Sequence, residues 1–381
     1  MTARRRRAGD GTAGDGAMPD GDTALHARIR ADGPVTVAAF MAEALLHPRH
    51  GYYARGEGIG ADGDFVTAPE VSQIFGELLG LWCIDTWQRL GAPAPFALVE
   101  LGPGTGTLMA DVLRTGRLVP GFAAALRPVL VEASAALRAR QQARIDHPQA
   151  SWIADLDALP ALPALVLANE FVDALPVHQL VRIDGRWHER LVGLGPDGAL
   201  RFEAAAEPVP ARAALPRAED GTVIELRPAA DALASRLAEA IRGDGGQRGR
   251  QGAALVIDYG TTGPPLRDSL QAVRRHRRHD VLQAPGSADI TAHVDFSAFA
   301  RAARAAGCAV AGPVPQGLFL ERLGLPLRAE RLARAGPDQA ATIAGAVRRL
   351  ADPAEMGSLF QALALLPPGM DACAGFDGVT R

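Results

Sequence analysis

The chain has 381 residues, of which 48% are hydrophobic and 22% are charged. A chain of this size can bury a substantial core, as one enlarged domain or two ordinary ones. All 40 basic residues are arginines, and with 43 acidic residues they give a net charge of −3. That balance argues against a protein that binds nucleic acid through its overall charge.

The expected cellular compartment of the protein follows from the cysteines, the apolar runs and the N-terminus. Cys83, Cys308 and Cys373 lie far apart and form no CxxC pair, so neither a disulfide framework nor a zinc cluster is expected. Charged residues or proline interrupt each apolar run before it reaches the length of a membrane span. Residues 1–23 have an arginine cluster without the apolar segment of a secretory signal, which favours a disordered tail. We expect a bacterial cytoplasmic protein with no membrane span.

The region after this tail is predicted to be helical, with one long loop. VTVAAFMAEALLH and VSQIFGELLGLWCIDTWQRL place apolar residues at helical spacing. Between them lies the glycine-rich loop HGYYARGEGIGADGDFVTAPE, residues 50–70. A loop of this length in a compact domain is usually functional or disordered, and its aromatic and polar residues favour function.

From residue 93 the pattern is that of an α/β fold. Helical segments such as LMADVLRTG and SAALRARQQARI separate short apolar runs that end in acidic or amide residues. Such runs are typical of strands buried on both faces of a parallel sheet, with functional residues at their carboxyl ends. The four runs are FALVELG, PVLVEAS, ALVLANE and AALVIDYG.

An insertion is predicted between two of these core strands. QLVRIDGRWHERLVGL and GALRFEAAAE alternate apolar and polar residues around Asp-Gly turns, a pattern typical of antiparallel hairpins. A helix, PAADALASRLAEAIRG, and a flexible linker, GDGGQRGRQG, follow. After AALVIDYG a polar stretch runs to residue 293, and further helices are expected at DFSAFARAARAAG and after Gly324. The predicted segments are a tail (1–23), a helical N-terminal region (24–92), the first part of the core (93–178), a hairpin and helix insertion (179–250), a return to the core with a substrate-side loop (251–323), and C-terminal helices with a tail (324–381).

The turn LVELGPGTG, residues 98–106, favours a cationic nucleotide ligand over a dinucleotide. A dinucleotide fingerprint needs glycine at its sixth position, and neither register of this turn provides one. Glu100 stands two residues before the first glycine, where it would repel a pyrophosphate and attract a cation. S-adenosylmethionine carries an ammonium and a sulfonium and no phosphate. We therefore predict an S-adenosylmethionine site at Glu100, Gly102, Gly104 and Gly106, whose glycines let the backbone approach the ligand.

Two further acidic residues are candidates for contacts with the nucleoside. Glu132 ends the run PVLVE, where Rossmann-like folds place an acidic residue that accepts hydrogen bonds from the ribose hydroxyls. The alternative is a helix N-terminal residue that the helix dipole favours. Asp155 follows SWI, a weaker strand candidate, and is either an adenine contact or a surface aspartate.

The run LANEFVDALPVHQ predicts the substrate side of the crevice. Asn169, Glu170 and Asp173 follow a buried strand at the carboxyl edge of the sheet, with Phe171 as a candidate wall, and Asn169 also faces the cofactor side. A capping cluster is the alternative. Paired carboxylates could orient a guanidinium acceptor through bidentate hydrogen bonds and hold its charge as it loses a proton.

DITAHVDF and RRHRRHD contribute less certain candidates. His293 and Asp295 would share a face of a strand and could relay a proton, although Asp295 also fits the N-cap of the next helix. His276 and His279 are three residues apart, but without a cysteine or a firm third ligand we predict no metal site. A basic loop that faces an acidic partner is the better interpretation of RRHRRHD.

Taken together, the motifs resemble the MidA family, whose mitochondrial branch includes a complex I assembly factor that acts as a protein-arginine methyltransferase. The resemblance covers residues 24–366. It is carried, in order, by the glycine-rich loop, ELGPGTGTLM, LANEFVDALPVHQ, ALVIDYG, SLQAVRRH, PGSADITAHVDF and PVPQGLFLERLG.

The resemblance implies a class I methyltransferase fold that uses S-adenosylmethionine. It also implies that Asp64, Thr67 and Glu70 help to line the crevice, and that the acceptor is an arginine of a protein, with a respiratory complex subunit as a candidate. Dimerisation is left open. The alternatives are an assembly or scaffold protein that keeps the S-adenosylmethionine pocket without turnover, and, less favoured, an NAD-linked oxidoreductase.

Overall fold

The computed structural model describes residues 23–56, 58–60, 63–64, 66–210, 215–242, 251–263, 267–370 and 372–376. The predicted N-terminal tail and the linker GDGGQRGRQG therefore lie almost wholly outside the described residues. Within the described part of the chain, no helix is long and apolar enough to cross a membrane.

The N-terminal region is helical, as the apolar spacing predicts. Thr36 and Ser72 cap two of its helices, since their side-chain oxygens accept hydrogen bonds from the backbone N–H groups of Ala39 and Ile74. The elements are α1 (Ala24–Asp32), β1 (Val35–Thr36), α2 (Val37–Leu46), α3 (Tyr52–Arg55), α4 (Ala68–Val71) and α5 (Gln73–Arg89).

The first part of the core alternates strands and helices, as predicted. Successive side chains of the first core strand pack on opposite faces, with Phe96 and Leu98 in one apolar cluster and Ala97 and Val99 in the other. That two-sided burial explains its unbroken apolar sequence. The elements are β2 (Phe96–Leu101), α6 (Thr107–Gly116), α7 (Pro120–Ala125), β3 (Leu126–Val131), α8 (Ala135–Arg144), β4 (Ser151–Ile153), a 3₁₀ turn (Leu156–Ala158) and β5 (Ala164–Asn169).

The predicted hairpins after residue 178 are present. Asp184 and Gly185 have φ values of +48° and +74°, the left-handed conformations that a tight Asp-Gly hairpin turn requires. The elements are β6 (His178–Ile183), β7 (Arg186–Leu194), β8 (Leu200–Pro208), β9 (Val223–Leu226) and α9 (Pro228–Arg242).

The last third of the chain corrects two predictions. The stretch between AALVIDYG and residue 293 contains three short strands, and residues 324–381 hold a seven-residue strand besides helices. This strand, FQALALL, is apolar at every position except Gln361 and is buried on both faces, so periodicity could not separate it from a helix. The elements are β10 (Ala253–Thr261), β11 (Gln271–Arg274), β12 (Arg277–His279), β13 (Asp289–Thr291), β14 (Val294–Asp295), α10 (Phe296–Ala305), β15 (Ala309–Pro315), α11 (Gln316–Arg322), α12 (Leu325–Ala335), a 3₁₀ turn (Pro337–Gln339), α13 (Ala340–Ala351), α14 (Met356–Leu359) and β16 (Phe360–Leu366).

The core is an eight-stranded sheet with the order β15-β16-β10-β5-β2-β3-β4, and β14 pairs with β10. The strands from β10 to β4 are parallel, whereas β16 is antiparallel to both of its neighbours. The chain leaves β2 for β3 on one side and later returns to β5 on the other. Ligands of open α/β sheets bind at such a reversal of strand order, outside the carboxyl ends of the strands.

The helices α1 to α3, the inserted hairpins and the β11–β13 sheet form a cap over this edge, whereas α5 packs in a cluster of the core. β1 pairs with β7, and the cap sheet has the order β1-β7-β6-β9, with β8 on β7. One apolar cluster joins Phe40 of α2, Val192 of β7 and Ile290 of β13. The cap is therefore one packed body built from three separate parts of the sequence.

Candidate active site

A large cavity lies where the cap covers the carboxyl edge of the core sheet. Its volume of about 1140 Å³ leaves room for two reactants. The turns after β2, β3 and β5 form the core side, and the N-terminal region and the β11–β13 sheet form the cap side. The predicted residues that line it are Glu100, Gly102, Gly104, Glu132, Asp155, Asn169, Glu170, Phe171, Asp173, His293, Thr67 and Glu70.

Three predicted site residues lie outside this lining: Gly106, Asp64 and Asp295. Gly106 begins α6 with φ +81°, and a Cβ there would lie 3.3 Å from a neighbouring side chain, so it serves packing. Asp64 accepts a hydrogen bond from the N–H of Arg275 at 2.7 Å. Asp295 caps α10 by accepting from the N–H of Ala298 at 2.9 Å. The two carboxylates are thus used within the scaffold.

The glycine turn after β2 brings the backbone to the cavity surface. Gly102 and Gly104 have φ values of +56° and +52°, which disfavour any other residue. A Cβ on Gly102 would lie 2.6 Å from the ring of Phe171, and one on Gly104 would lie 3.3 Å from Ile59. The turn therefore depends on glycine for its conformation and for its close contact with the substrate wall.

Glu100 places an unsatisfied carboxyl at the bottom of this turn. The residue is only 4% exposed, and its Oε2 has no hydrogen-bond partner among the described residues. Burial raises the pKa of Glu100 to about 8, although a backbone hydrogen bond from Met109 opposes the shift. A buried carboxyl without a partner suits a ligand that brings a positive charge.

This carboxyl predicts that cofactor binding releases a proton. With a pKa of about 8, Glu100 is mostly protonated at pH 7 in the free protein, and a bound cation favours the ionised form. Affinity for S-adenosylmethionine should therefore rise with pH up to about 8 and then level off. Calorimetry at pH 7 in phosphate and in Tris should show release of about one proton, which Glu100→Gln removes. Equal heats for the wild type in both buffers would contradict this.

Glu132 is held at the end of β3 in a polar network. Its Oε1 accepts from the N–H of Ser134 at 2.7 Å, and its Oε2 accepts from Nε2 of Gln141 at 3.2 Å. Gln141 also donates to the carbonyl of Gly104 at 2.8 Å. Burial raises the pKa of Glu132, against the opposing effect of these hydrogen bonds. Gln141, which the sequence did not single out, thus links the ribose-side acid to the glycine turn.

The other predicted cofactor and loop residues lie nearer to the rim. Asp155 accepts from the N–H of Asp157 at 2.6 Å and starts a 3₁₀ turn, while its carboxylate is 3.7 Å from Arg236. Glu70 accepts hydrogen bonds from the Thr105 hydroxyl at 2.6 Å and the Thr107 hydroxyl at 3.0 Å. Glu70 therefore fixes the glycine turn from the cap side.

The segment after β5 carries the first of three carboxyl groups that line the cavity, the half-buried Glu170. Glu170 has a left-handed backbone with φ +50°, an unfavourable conformation for glutamate that often marks a functional site. Its Oε1 accepts from the N–H of Ala68 at 2.9 Å and from Nδ2 of Asn169 at 3.2 Å. Burial raises the pKa of Glu170 to about 7. Asn169 keeps a buried Oδ1 with no partner among the described residues.

Asp173 and Asp289 complete the acidic group from two different sheets. Burial raises the pKa of Asp173 to about 6 while hydrogen bonding from Tyr259 lowers it. Burial and the charge of Asp173 raise the pKa of Asp289 to about 8. Asp289 accepts a hydrogen bond from the Tyr53 hydroxyl at 2.8 Å. Three carboxyl groups and two tyrosines therefore surround one side of the cavity.

Asp258, at the end of β10, holds this segment in place. Its Oδ2 accepts hydrogen bonds from the N–H groups of Phe171, Val172 and Asp173 at 3.1, 2.8 and 3.1 Å. The side chain is fully buried, and burial raises its pKa well above the usual range. This role could not be predicted from local sequence, because the partners are more than 80 positions away in the chain.

Removal of Asp258 should loosen the fold as well as the site. Asp258→Ala leaves three buried N–H groups unsatisfied, which should lower the free energy of unfolding by about 2 kcal/mol. Asp258→Asn keeps an acceptor oxygen and should lose less. Urea unfolding of both variants measures the difference, and equal stability of the alanine variant and the wild type would disprove the role.

His293 lies on the cavity wall without the predicted carboxylate partner. Asp295 caps α10, which confirms the N-cap interpretation, and it forms no His293–Asp295 relay. The Nδ1 atom of His293 is buried and has no partner among the described residues, and its ring packs edge-on against Tyr259 at 5.3 Å. Burial lowers the pKa of His293, so the neutral imidazole dominates near pH 7.

Among the described residues, one trio could supply three metal ligands: Glu43, His47 and His50. His50 Nε2 lies 3.0 Å from Glu43, but Nδ1 of His47 accepts from the N–H of Arg49 at 3.2 Å. For this trio the absence of a metal site stays a prediction. Of the two histidines in RRHRRHD, His279 has its Nε2 3.1 Å from the backbone carbonyl of Gln283.

The fold and the cavity define the class of the protein. A parallel sheet completed by an antiparallel strand between β10 and β15 has the architecture of class I S-adenosylmethionine-dependent methyltransferases. The acidic glycine turn after the first core strand and the acid after the second both line the cavity. The cofactor is S-adenosylmethionine, and the NAD interpretation falls away.

Comparisons with known proteins identify the family. Residues 78–314 match a family model described as S-adenosyl-L-methionine-dependent methyltransferases. The chain is 39% identical over 378 residues to the mitochondrial protein arginine methyltransferase NDUFAF7 homolog of Drosophila melanogaster, covering 90% of this chain and 84% of the relative. It is 36% identical over 373 residues to the NDUFAF7 of Homo sapiens, covering 90% and 82%.

A solved structure supports the same assignment. A protein from Burkholderia thailandensis, crystallised with S-adenosyl-homocysteine, matches with a TM-score of 0.79 and 30% sequence identity, covering 94% of each chain. The chain belongs to the MidA family of S-adenosylmethionine-dependent methyltransferases.

Proposed function

We propose that this methyltransferase acts on an arginine side chain of a partner protein. The observation that carries the proposal is the group of three carboxyls on the cavity wall: Asp173 and Asp289 are buried, and Glu170 is half-buried. A guanidinium offers five N–H donors in a planar fork, and carboxylates match it bidentately. The names of the curated relatives support the same substrate class.

The cofactor-side residues would be Glu100, Gly102, Gly104 and Glu132, with Asn169 and Asp155 at the border and the rim. The unpartnered Oε2 of Glu100 and the exposed turn backbone fit a cationic nucleoside ligand. S-adenosylmethionine supplies an electrophilic methyl group on a sulfonium.

The substrate-side residues would position the acceptor and hold its charge. Methyl transfer is an in-line displacement, so orientation of the acceptor nitrogen is the main task of the protein. Glu170 and Asp173 would clamp the guanidinium, and Asp173 would accept the proton that leaves as the nitrogen is methylated. His293, neutral and with an unpartnered Nδ1, is a second acceptor for this proton.

Three more specific statements about this chain remain predictions: that its substrate is a subunit of a respiratory complex, that it forms a homodimer, and that it is located in the cytoplasm.

Labelled transfer tests the proposed function directly. The wild-type protein is incubated with deuterated-methyl S-adenosylmethionine and a lysate of its host, and methylarginine is sought in tryptic peptides by mass spectrometry. We expect labelled arginine in a small set of proteins. Label found only on other residues, or on small molecules, would overturn the arginine assignment.

A further inference from the structure

The hairpin of β11 and β12 carries an unusual concentration of positive charge. Its arginine group, Arg274, Arg275, Arg277 and Arg278, is exposed. Within the described residues, no carboxylate lies at ion-pair distance from any of these four guanidinium groups. Arg278 and Val273 line the cavity, so this arginine hairpin stands at the rim of the active site.

The turn of the arginine hairpin is held in an unfavourable conformation. Arg275 and His276 have φ values of +49° and +60°, where a two-residue hairpin turn ordinarily uses Asn-Gly. Asp64 fixes the turn, since its Oδ1 accepts from the N–H of Arg275 at 2.7 Å and its carbonyl accepts from that of His276 at 2.9 Å. Tyr52 donates to the same aspartate at 3.0 Å. The glycine-rich loop thus presents the arginines in a fixed shape.

The hairpin also contains a like-charge pair. Arg274 and Arg277 lie directly opposite each other across the two strands, an arrangement that destabilises a sheet. The strained turn and the like-charge pair both act against folding. Their concentration at the rim of the cavity points to a role in contact with an external anion.

We propose that the arginine hairpin is a docking surface for acidic side chains that flank the target arginine of the protein substrate. The inference rests on the proposed function, because it places the partner where its arginine would enter the cavity. The carboxyls of Glu170, Asp173 and Asp289 just inside would repel a phosphate backbone. The hairpin also has no phenylalanine, tyrosine or tryptophan for base stacking. Both observations favour an acidic protein segment over nucleic acid.

Two fluorescein-labelled peptides provide the test. Both carry a single arginine and a Gly-Ser spacer, followed by a run of glutamates in one and of glutamines in the other. Binding is measured by fluorescence anisotropy at low salt with S-adenosyl-homocysteine present. The wild type should bind the glutamate peptide about fivefold more tightly, as expected for two or more exposed ion pairs. Added salt should reduce this preference.

Matched variants assign the preference to the hairpin. Arg274→Gln/Arg277→Gln should lose it and keep affinity for S-adenosyl-homocysteine, which also shows that the variant is folded. Arg304→Gln/Arg331→Gln, on the exposed surfaces of α10 and α12, should keep the preference. No preference in the wild type, or a preference that survives in the hairpin variant, would overturn the proposal.

Further arms separate the other outcomes. Oligouridine and phosphatidylglycerol vesicles are tested as two separate probes. If either binds the wild type more tightly than the glutamate peptide does, and this binding is lost in the hairpin variant, that ligand class replaces the acidic protein segment as the assigned partner. A peptide with alanine in place of arginine should keep the glutamate preference. If the glutamate preference holds but arginine is never methylated, the proposed function fails and the docking surface is supported. If arginine is methylated but there is no glutamate preference, the docking surface fails and the proposed function is supported.

Discussion

Replacement of Asp173 with asparagine should lower the rate of methyl transfer to arginine by roughly 10²- to 10⁴-fold, the range for loss of a general base. Asparagine keeps the shape of the side chain, but it can neither take up the proton nor balance the guanidinium charge. The effect should fall on kcat more than on affinity for S-adenosyl-homocysteine, because Asp173 lies on the substrate side.

The pH dependence provides a second signature of Asp173. A base with a pKa of about 6 must be ionised to act, so the rate for the wild type should rise as pH increases through that value. The variant should lack this rise. Asp338→Asn, on an exposed 3₁₀ turn, is the control for a general effect of losing a carboxylate. Wild-type rates in Asp173→Asn would remove this residue from the mechanism, and no turnover by the wild type itself would favour the scaffold alternative.

The second large effect is expected at Glu132. Replacement with alanine should weaken binding of S-adenosyl-homocysteine by about 1–3 kcal/mol, or roughly 5- to 150-fold, because hydrogen bonds between a charged acceptor and the ribose hydroxyls are lost. The variant also frees Ser134 and Gln141 from their shared acceptor, so the glycine turn loses support.

A conservative variant separates the two contributions. Glu132→Gln keeps an acceptor for the Ser134 N–H and the local shape, but it lacks the negative charge. Calorimetry should place its affinity between those of the wild type and the alanine variant. If the alanine variant binds S-adenosyl-homocysteine as tightly as the wild type, Glu132 has only the structural role of a helix N-terminal residue.

The core strands were predictable from sequence where a buried strand is followed directly, in the same short segment, by its candidate site residue. The runs ending at Glu100, Glu132 and Asn169 are each buried on both faces and are followed by turn signals, so pattern and position agree. β15 and β16 were missed because these segments form strands through pairing of β16 with β10 and with β15, and local periodicity does not reveal such pairing. The three strands of the β11–β13 sheet are too short to show alternation.

The site was predictable on the core side and less so on the cap side. Asp173 and Glu170 follow a recognisable strand, whereas Asp289 reaches the same cavity from a separate sheet of the cap. Asp258 was hidden because its role is to accept backbone hydrogen bonds from a distant segment. The same long-range geometry moved Asp64 and Asp295 from the predicted lining into the scaffold.

The most direct test of the proposed function is a crystal structure of the protein with S-adenosyl-homocysteine and a peptide that contains arginine. We expect the guanidinium nitrogens to lie at hydrogen-bond distance, about 3 Å, from the carboxylates of Asp173 and Glu170. An arginine side chain that lies outside the cavity, with both carboxylates bonded only to protein groups, would contradict it.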